Sequence, residues 1–180
     1  MDDYERDRYT SLVKRDRTLL NLTKMDLMDA VLQNKKFALK AKTTPFFKTI
    51  LPAMQDYYET KNCIFGHGWI PCGVLGRGNY PADVFMYESD WRMQDKFKWE
   101  RARWINGMLA ASKGVVEPNK TIVCGHWHCS YGHAKLEGNG TEFDSDADFS
   151  PYYGNSVIAL DDCTAFSGKV NCIVLNDEPI

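Results

Sequence analysis

Residues 121–130 read TIVCGHWHCS, and the rest of the chain is organised around them. Thr121-Ile122-Val123-Cys124 is a short apolar, β-branched run, the pattern of a buried strand. Gly125 closes it, because a residue without Cβ allows the backbone to turn sharply. His126 and His128 follow, separated by Trp127. Two imidazoles at this spacing can converge on one site or on two adjacent ones. Neutral imidazole is the commonest metal-ligating side chain, and with carboxylates it suits zinc, iron or manganese.

Upstream, Asn62-Cys63-Ile64-Phe65-Gly66-His67 repeats this order of strand, glycine and histidine. If both strands run the same way in one sheet, their histidines emerge together at its carboxyl edge, where open α/β sheets place ligands. The chain has four histidines, His67, His126, His128 and His133. Their clustering is its main functional signal.

The GHWH segment resembles the Gly-His-x-His signature of the calcineurin-like metallophosphoesterases. CIFGHGWIP (63–71) is similar to the upstream His-Gly segment of that family, especially its Ser/Thr-protein-phosphatase-like members. The run SVIALDDCTAFSGKVNCIVL (156–175) resembles the family's closing strands. The resemblance covers roughly His67 to the end and, more loosely, the helical segment before it. It implies an α/β fold, part of a calcineurin-like α/β/β/α sandwich whose N-terminal, motif-bearing half is missing. The Asp-x-His, Gly-Asp-x-x-Asp-Arg and Gly-Asn-His-Asp/Glu motifs are not found. Arg77-Gly78-Asn79 is followed by Tyr80, not histidine.

The implied activity is phosphoester hydrolysis, with a divalent transition metal (manganese, iron or zinc) as cofactor. By the motif, His67 and His126 would ligate one metal and His128 the other. Two ions are expected only if another chain completes the site, and no catalytic residue is assigned. In the full family site two metals clamp the phosphoryl oxygens. Without a bridging carboxylate and a general acid, the chain alone is expected to be incomplete or inactive, a fragment, split product or degenerate copy. The alternative is a non-catalytic module that binds a metal or a partner. Arg101, Arg103 and His133 are candidates for substrate binding, since guanidinium groups suit phosphate. The expected partners are a phosphorylated protein or small phosphoester and a second chain, which could be another copy.

Composition sets the remaining bounds. A length of 180 residues fits one domain, and 44% hydrophobic with 26% charged residues is ordinary for a globular chain. The net charge of −2 argues against nucleic-acid recruitment. No run is long or apolar enough to span a bilayer, and MDDYERDRYT is unlike a signal peptide, so a cytoplasmic setting is expected. The six cysteines contain no CxxC pair, although Cys124 and Cys129 leave a Cys/His zinc site as a minor alternative.

The pattern predicts a helical segment over 1–60 and an α/β portion over 61–180. Within the first, helices are expected from Thr23 and from Thr44-Pro45, with Pro52 bending the second. A glycine-rich loop is expected over Gly68–Pro81, and one long helix over Tyr87–Lys113, its apolar arc including Phe97, Trp104, Ile105 and Arg101. A second loop is expected over Cys129–Pro151. The end of the chain reads as strands at Ser156–Leu160 and Lys169–Leu175, with a hairpin turn at Ser167-Gly168. Asp161 and Asp162 read as turn carboxylates that could also face the site.

Overall fold

The computed structural model describes residues 39–178; the helix expected from Thr23 lies outside them. The chain divides into two compact units between Gln55 and Asp56. In the first, a π-helical turn, Phe46–Ile50, runs into a single helical turn, Leu51–Ala53, with Pro52 in its opening positions. Pro52 has no N–H to donate, so a restart at this point leaves no hydrogen bond unmade.

The second unit is mixed α/β. Five strands, β1 (Tyr57–Glu59), β2 (Cys63–Gly66), β5 (Thr121–His128), β7 (Val157–Asp161) and β6 (Tyr152–Gly154), form one sheet in that spatial order. The central three, β2, β5 and β7, are parallel, and antiparallel β1 and β6 flank them. Ile64 pairs with Ile122 and Ile122 with Val157, so these strands stay in step and their carboxyl ends share one edge. A hairpin of β3 (Gly73–Leu75) and β4 (Val84–Met86) forms a separate two-stranded sheet. Tyr57–Glu59, assigned to the helical N-terminal segment by the sequence pattern, are instead an edge strand of the larger sheet.

Helices α1 (Lys96–Ala102) and α2 (Gly107–Ser112) bury Trp99, Ala102, Met108, Leu109, Ala110 and Ala111 in one core with Ile64, Ile122, Val157 and Ala159. The single helix expected over 87–113 is therefore broken. Asp95 caps α1 by accepting from the Lys98 N–H at 2.9 Å, and Asn106 caps α2 by accepting from Leu109 at 3.1 Å. Each side chain starts a new helix, as Asp and Asn do where they satisfy orphan N–H groups. The helical wheel fails across the break: Trp99 is buried, while Phe97, Arg101 and Trp104 are exposed.

Two expected loops and one expected strand also differ. Trp69, Ile70 and Pro71 sit in the core, the Trp69 indole donating to the Val115 carbonyl at 3.1 Å, so the start of the glycine-rich stretch is core and not surface loop. Cys129–Tyr131 (α3) and a π-helical turn, Gly132–Glu137, replace the start of the second loop. After Cys163, Thr164–Ser167 (α4) is a helical turn closed by Gly168 in the left-handed region, φ 71°. Gly168 caps a helix here and turns no hairpin, and residues 169–178 run without regular structure. Asp177 pins them to the β1–β2 turn, accepting from the Asn62 backbone at 3.1 Å and its side chain at 2.8 Å.

A charged network ties β1 to the segments before β5. Arg92 donates to both Glu59 oxygens, at 2.9 and 2.5 Å, and lies 2.9 Å from Glu117. Lys120 adds a contact of 3.0 Å to Glu59. Arg92, with Lys120, holds the Glu59 carboxyl at about 2, down from 4.5. A depressed carboxylate stabilises the fold above its unfolded value and ceases to as it protonates. Stability is therefore expected to fall as pH drops from 4.5 toward 2, by about 2 kcal/mol after allowance for solvent screening. Urea midpoints of wild type and Glu59→Gln across that range check this, since the variant should lose most of the dependence.

Candidate metal centre

The three parallel strands bring residues at or near their carboxyl ends to one edge: Gly66-His67 at the end of β2, Gly125-His126 within the last part of β5 and Asp161-Asp162 at the end of β7. The Gly125 N–H donates to the His67 carbonyl at 2.9 Å and locks the two strand ends together. His126 has φ 65° in the left-handed region, which costs a residue with a Cβ about 1–2 kcal/mol. In return its ring stands 5.1 Å from that of His67, tilted by 50°. On its other side the Trp104 indole packs edge-on, 5.0 Å away. Burial, then the neighbouring His67, pushes the His126 pKa below its ordinary value against the opposing pull of Asp161. The ring is thus neutral at pH 7, the form that ligates metals.

His128 does not join this pair. Residues i and i+2 of a regular strand share a face, but left-handed His126 and a register shift between Cys124 and His128 break the alternation. His128 points instead to Ser130, Glu142 and Phe143, its ring 4.4 Å from the phenyl. The Ser130 hydroxyl donates its one hydrogen to the Glu142 carbonyl at 2.6 Å. His128 Nδ1, 2.8 Å from Ser130 Oγ, must then be the donor. That leaves Nε2 facing Glu142 Oε1 at 3.3 Å. Burial lowers the pKa of this imidazole, with Glu142 and Asp161 opposing. This ring is therefore engaged by Ser130 and Glu142 and not by the His67–His126 pair.

His67 and His126 line an open cavity of about 470 Å³ together with Asp161, Asp162, Thr164 and Asn171. Asp161 accepts from the Cys163 N–H at 2.8 Å. Asp162 is 4% exposed, and its carboxylate makes no hydrogen bond or ion pair among the described residues. Both carboxylates stand at the end of a third parallel strand. That position was the available signal: VIALDD ends a strand in the same sheet as the two strand–Gly–His elements.

The residues present fall short of the two-metal centre that the motif implies. Among the described residues, no group of three or more His, Cys, Asp or Glu side chains is arranged to hold a metal ion. The structure brings the His67 and His126 rings together, and His128 faces elsewhere. Burial raises the Cys124 thiol to about 12 and the Cys129 thiol to about 11, so both stay protonated and are poor ligands.

The three expected substrate-binding residues lie apart. Arg103 is held by Asp56, its Nε donating at 3.1 Å. His133 contacts Glu137 at 2.8 Å and the Ser150 carbonyl at 3.2 Å. Burial lowers its pKa, but these two acceptors outweigh it and the net shift is upward. Arg101 is exposed and lines a second cavity. No family model, curated protein or solved structure matches the chain.

Proposed function

We propose that this chain carries part of a metallophosphoesterase site of the calcineurin-like kind, with His67 and His126 as two ligands of one divalent transition metal. Its mixed sheet is then one layer of the family's sandwich. The reading rests on one observation, the convergence of two imidazoles from separate parallel strands on one cavity. A manganese, iron or zinc ion bound there would polarise a phosphoryl oxygen as a Lewis acid. The chain's own part is to present His126 as a neutral ring, fixed by His67 and Trp104, beside the carboxylates of Asp161 and Asp162. The substrate is a phosphoprotein or small phosphoester, and the setting is cytoplasmic. Among the described residues, no helix is long and apolar enough to cross a membrane.

Two imidazoles without a bridging carboxylate do not make a hydrolytic centre, so the isolated chain is expected not to be an efficient phosphatase. Bridging ligands would come from another chain. Turnover of an aryl phosphate by the pure protein in excess manganese is expected to stay at background. Vigorous turnover that disappears in His126→Ala would overturn the incomplete-site reading. A non-catalytic metal- or partner-binding module is the second reading, favoured by the outward turn of His128 to Glu142.

A further inference from the structure

A second cavity, of about 240 Å³, lies beside β3 and α1, and Arg77, Lys98, Arg101 and Glu88 contribute its charge. Lys98 is neutralised by Glu88 at 2.7 Å. Arg101 has no hydrogen-bond or ion-pair partner among the described residues, and Arg77 only leans over the Tyr80 ring, 5.9 Å from its centre. Two arginines therefore line a cavity whose one carboxylate, Glu88, is already paired with Lys98. Arg77 sits on a fixed loop: Asp83 Oδ2 accepts from the backbone N–H groups of Arg77, Gly78, Asn79 and Tyr80, at 2.6–3.2 Å. Partial desolvation would raise that carboxyl, but the four donors together lower it. The loop is thus pre-organised, which reduces the ordering cost of binding.

Trp104 joins this cavity to the histidines. It lines the cationic cavity, stands 5.0 Å from the His126 ring, and remains 63% exposed. An exposed indole between a cationic cavity and a histidine pair is a stacking surface for a chain that spans both. Val74 and Ile105 add an apolar wall suited to the stem of a side chain. β3 also keeps one edge unpaired among the described residues, which suits an extended peptide.

We propose that the Arg77–Arg101 cavity is a subsite for an acidic side chain of a peptide that runs past Trp104 toward His67 and His126. It rests on the functional reading above only in naming that peptide a phosphorylated substrate; anion binding by the two arginines needs no metal. The test is calorimetry on the full chain in the presence of a chelator. The probes are a short phosphoserine peptide with flanking glutamates, the same peptide with glutamines, and inorganic phosphate.

The acidic peptide is expected to bind about 10-fold more tightly than the glutamine peptide, the value of one charge-assisted contact. The preference should vanish in Arg77→Ala/Arg101→Ala and return in part in Arg77→Lys/Arg101→Lys. Both arginines are exposed, so an unchanged thermal transition will exclude unfolding. Equal affinity for the two peptides would overturn the proposal, as would an acidic preference that persists without the arginines. Inorganic phosphate binding as tightly as the peptide would also overturn it. Failure of the metal reading would show separately, as no metal retained with the peptide preference intact.

Discussion

Gly68→Ala is expected to lower stability by about 3 kcal/mol, at the upper end of what overpacking costs. A Cβ at this position would lie 2.4 Å from the Arg103 carbonyl oxygen and 2.7 Å from that of Ala102. Both are backbone atoms, so no side chain can swing away to make room. The contact is also fixed from the other side. The Trp69 N–H donates to the Ala102 carbonyl at 3.0 Å, and the Trp69 indole is buried with its own hydrogen bond to Val115. The methyl group must therefore push the exit of β2 away from the end of α1. His67 is the next residue back, so metal retention should weaken as well. Urea unfolding of wild type and variant at equal slope gives the difference; a change within about 0.5 kcal/mol, as for an ordinary surface site, would refute this packing account.

His67→Ala and His126→Ala are each expected to lower metal affinity by about 100-fold or more, since even residues that only orient a ligand are worth 10–100-fold. His128→Ala should leave it nearly unchanged, because that ring bonds Ser130 and faces Glu142. His126→Gly separates the ligand role from a structural one. Removing a side chain from φ 65° relieves about 1 kcal/mol of strain, so stability should hold or rise while affinity falls. Competition titration against a chelating dye, beside a urea series, reads both quantities. Loss of affinity in His128→Ala alone would show that the ligand set is wrong.

The elements that place this site were legible because they are local. Strand, glycine and histidine recur at 62–67 and 121–126, and parallel pairing of β2 with β5 brings those histidines to one edge. Fine geometry within TIVCGHWH was not legible. Regular alternation would put His126 and His128 on one face, and the left-handed backbone at His126 with the register shift after Cys124 separates them. The long helix failed for a related reason: Asp95 and Asn106 have ordinary helix-surface polarity, yet each caps a new helix. At the C-terminus, Lys169–Leu175 alternates well enough for a strand but pairs with no strand among the described residues. Asp177, held by Asn62, fixes that segment instead. The role of Asp161 and Asp162 depends on strand order, which places β7 beside β5.

The central claim is that His67 and His126 make half of a metal site. Elemental mass spectrometry after loading with manganese, iron and zinc, followed by desalting, tests it most directly, with His67→Ala and His126→Ala alongside. The account predicts at most one weakly held metal per chain, absent from both variants. Two tightly held metals, or one that survives in those variants, would contradict it.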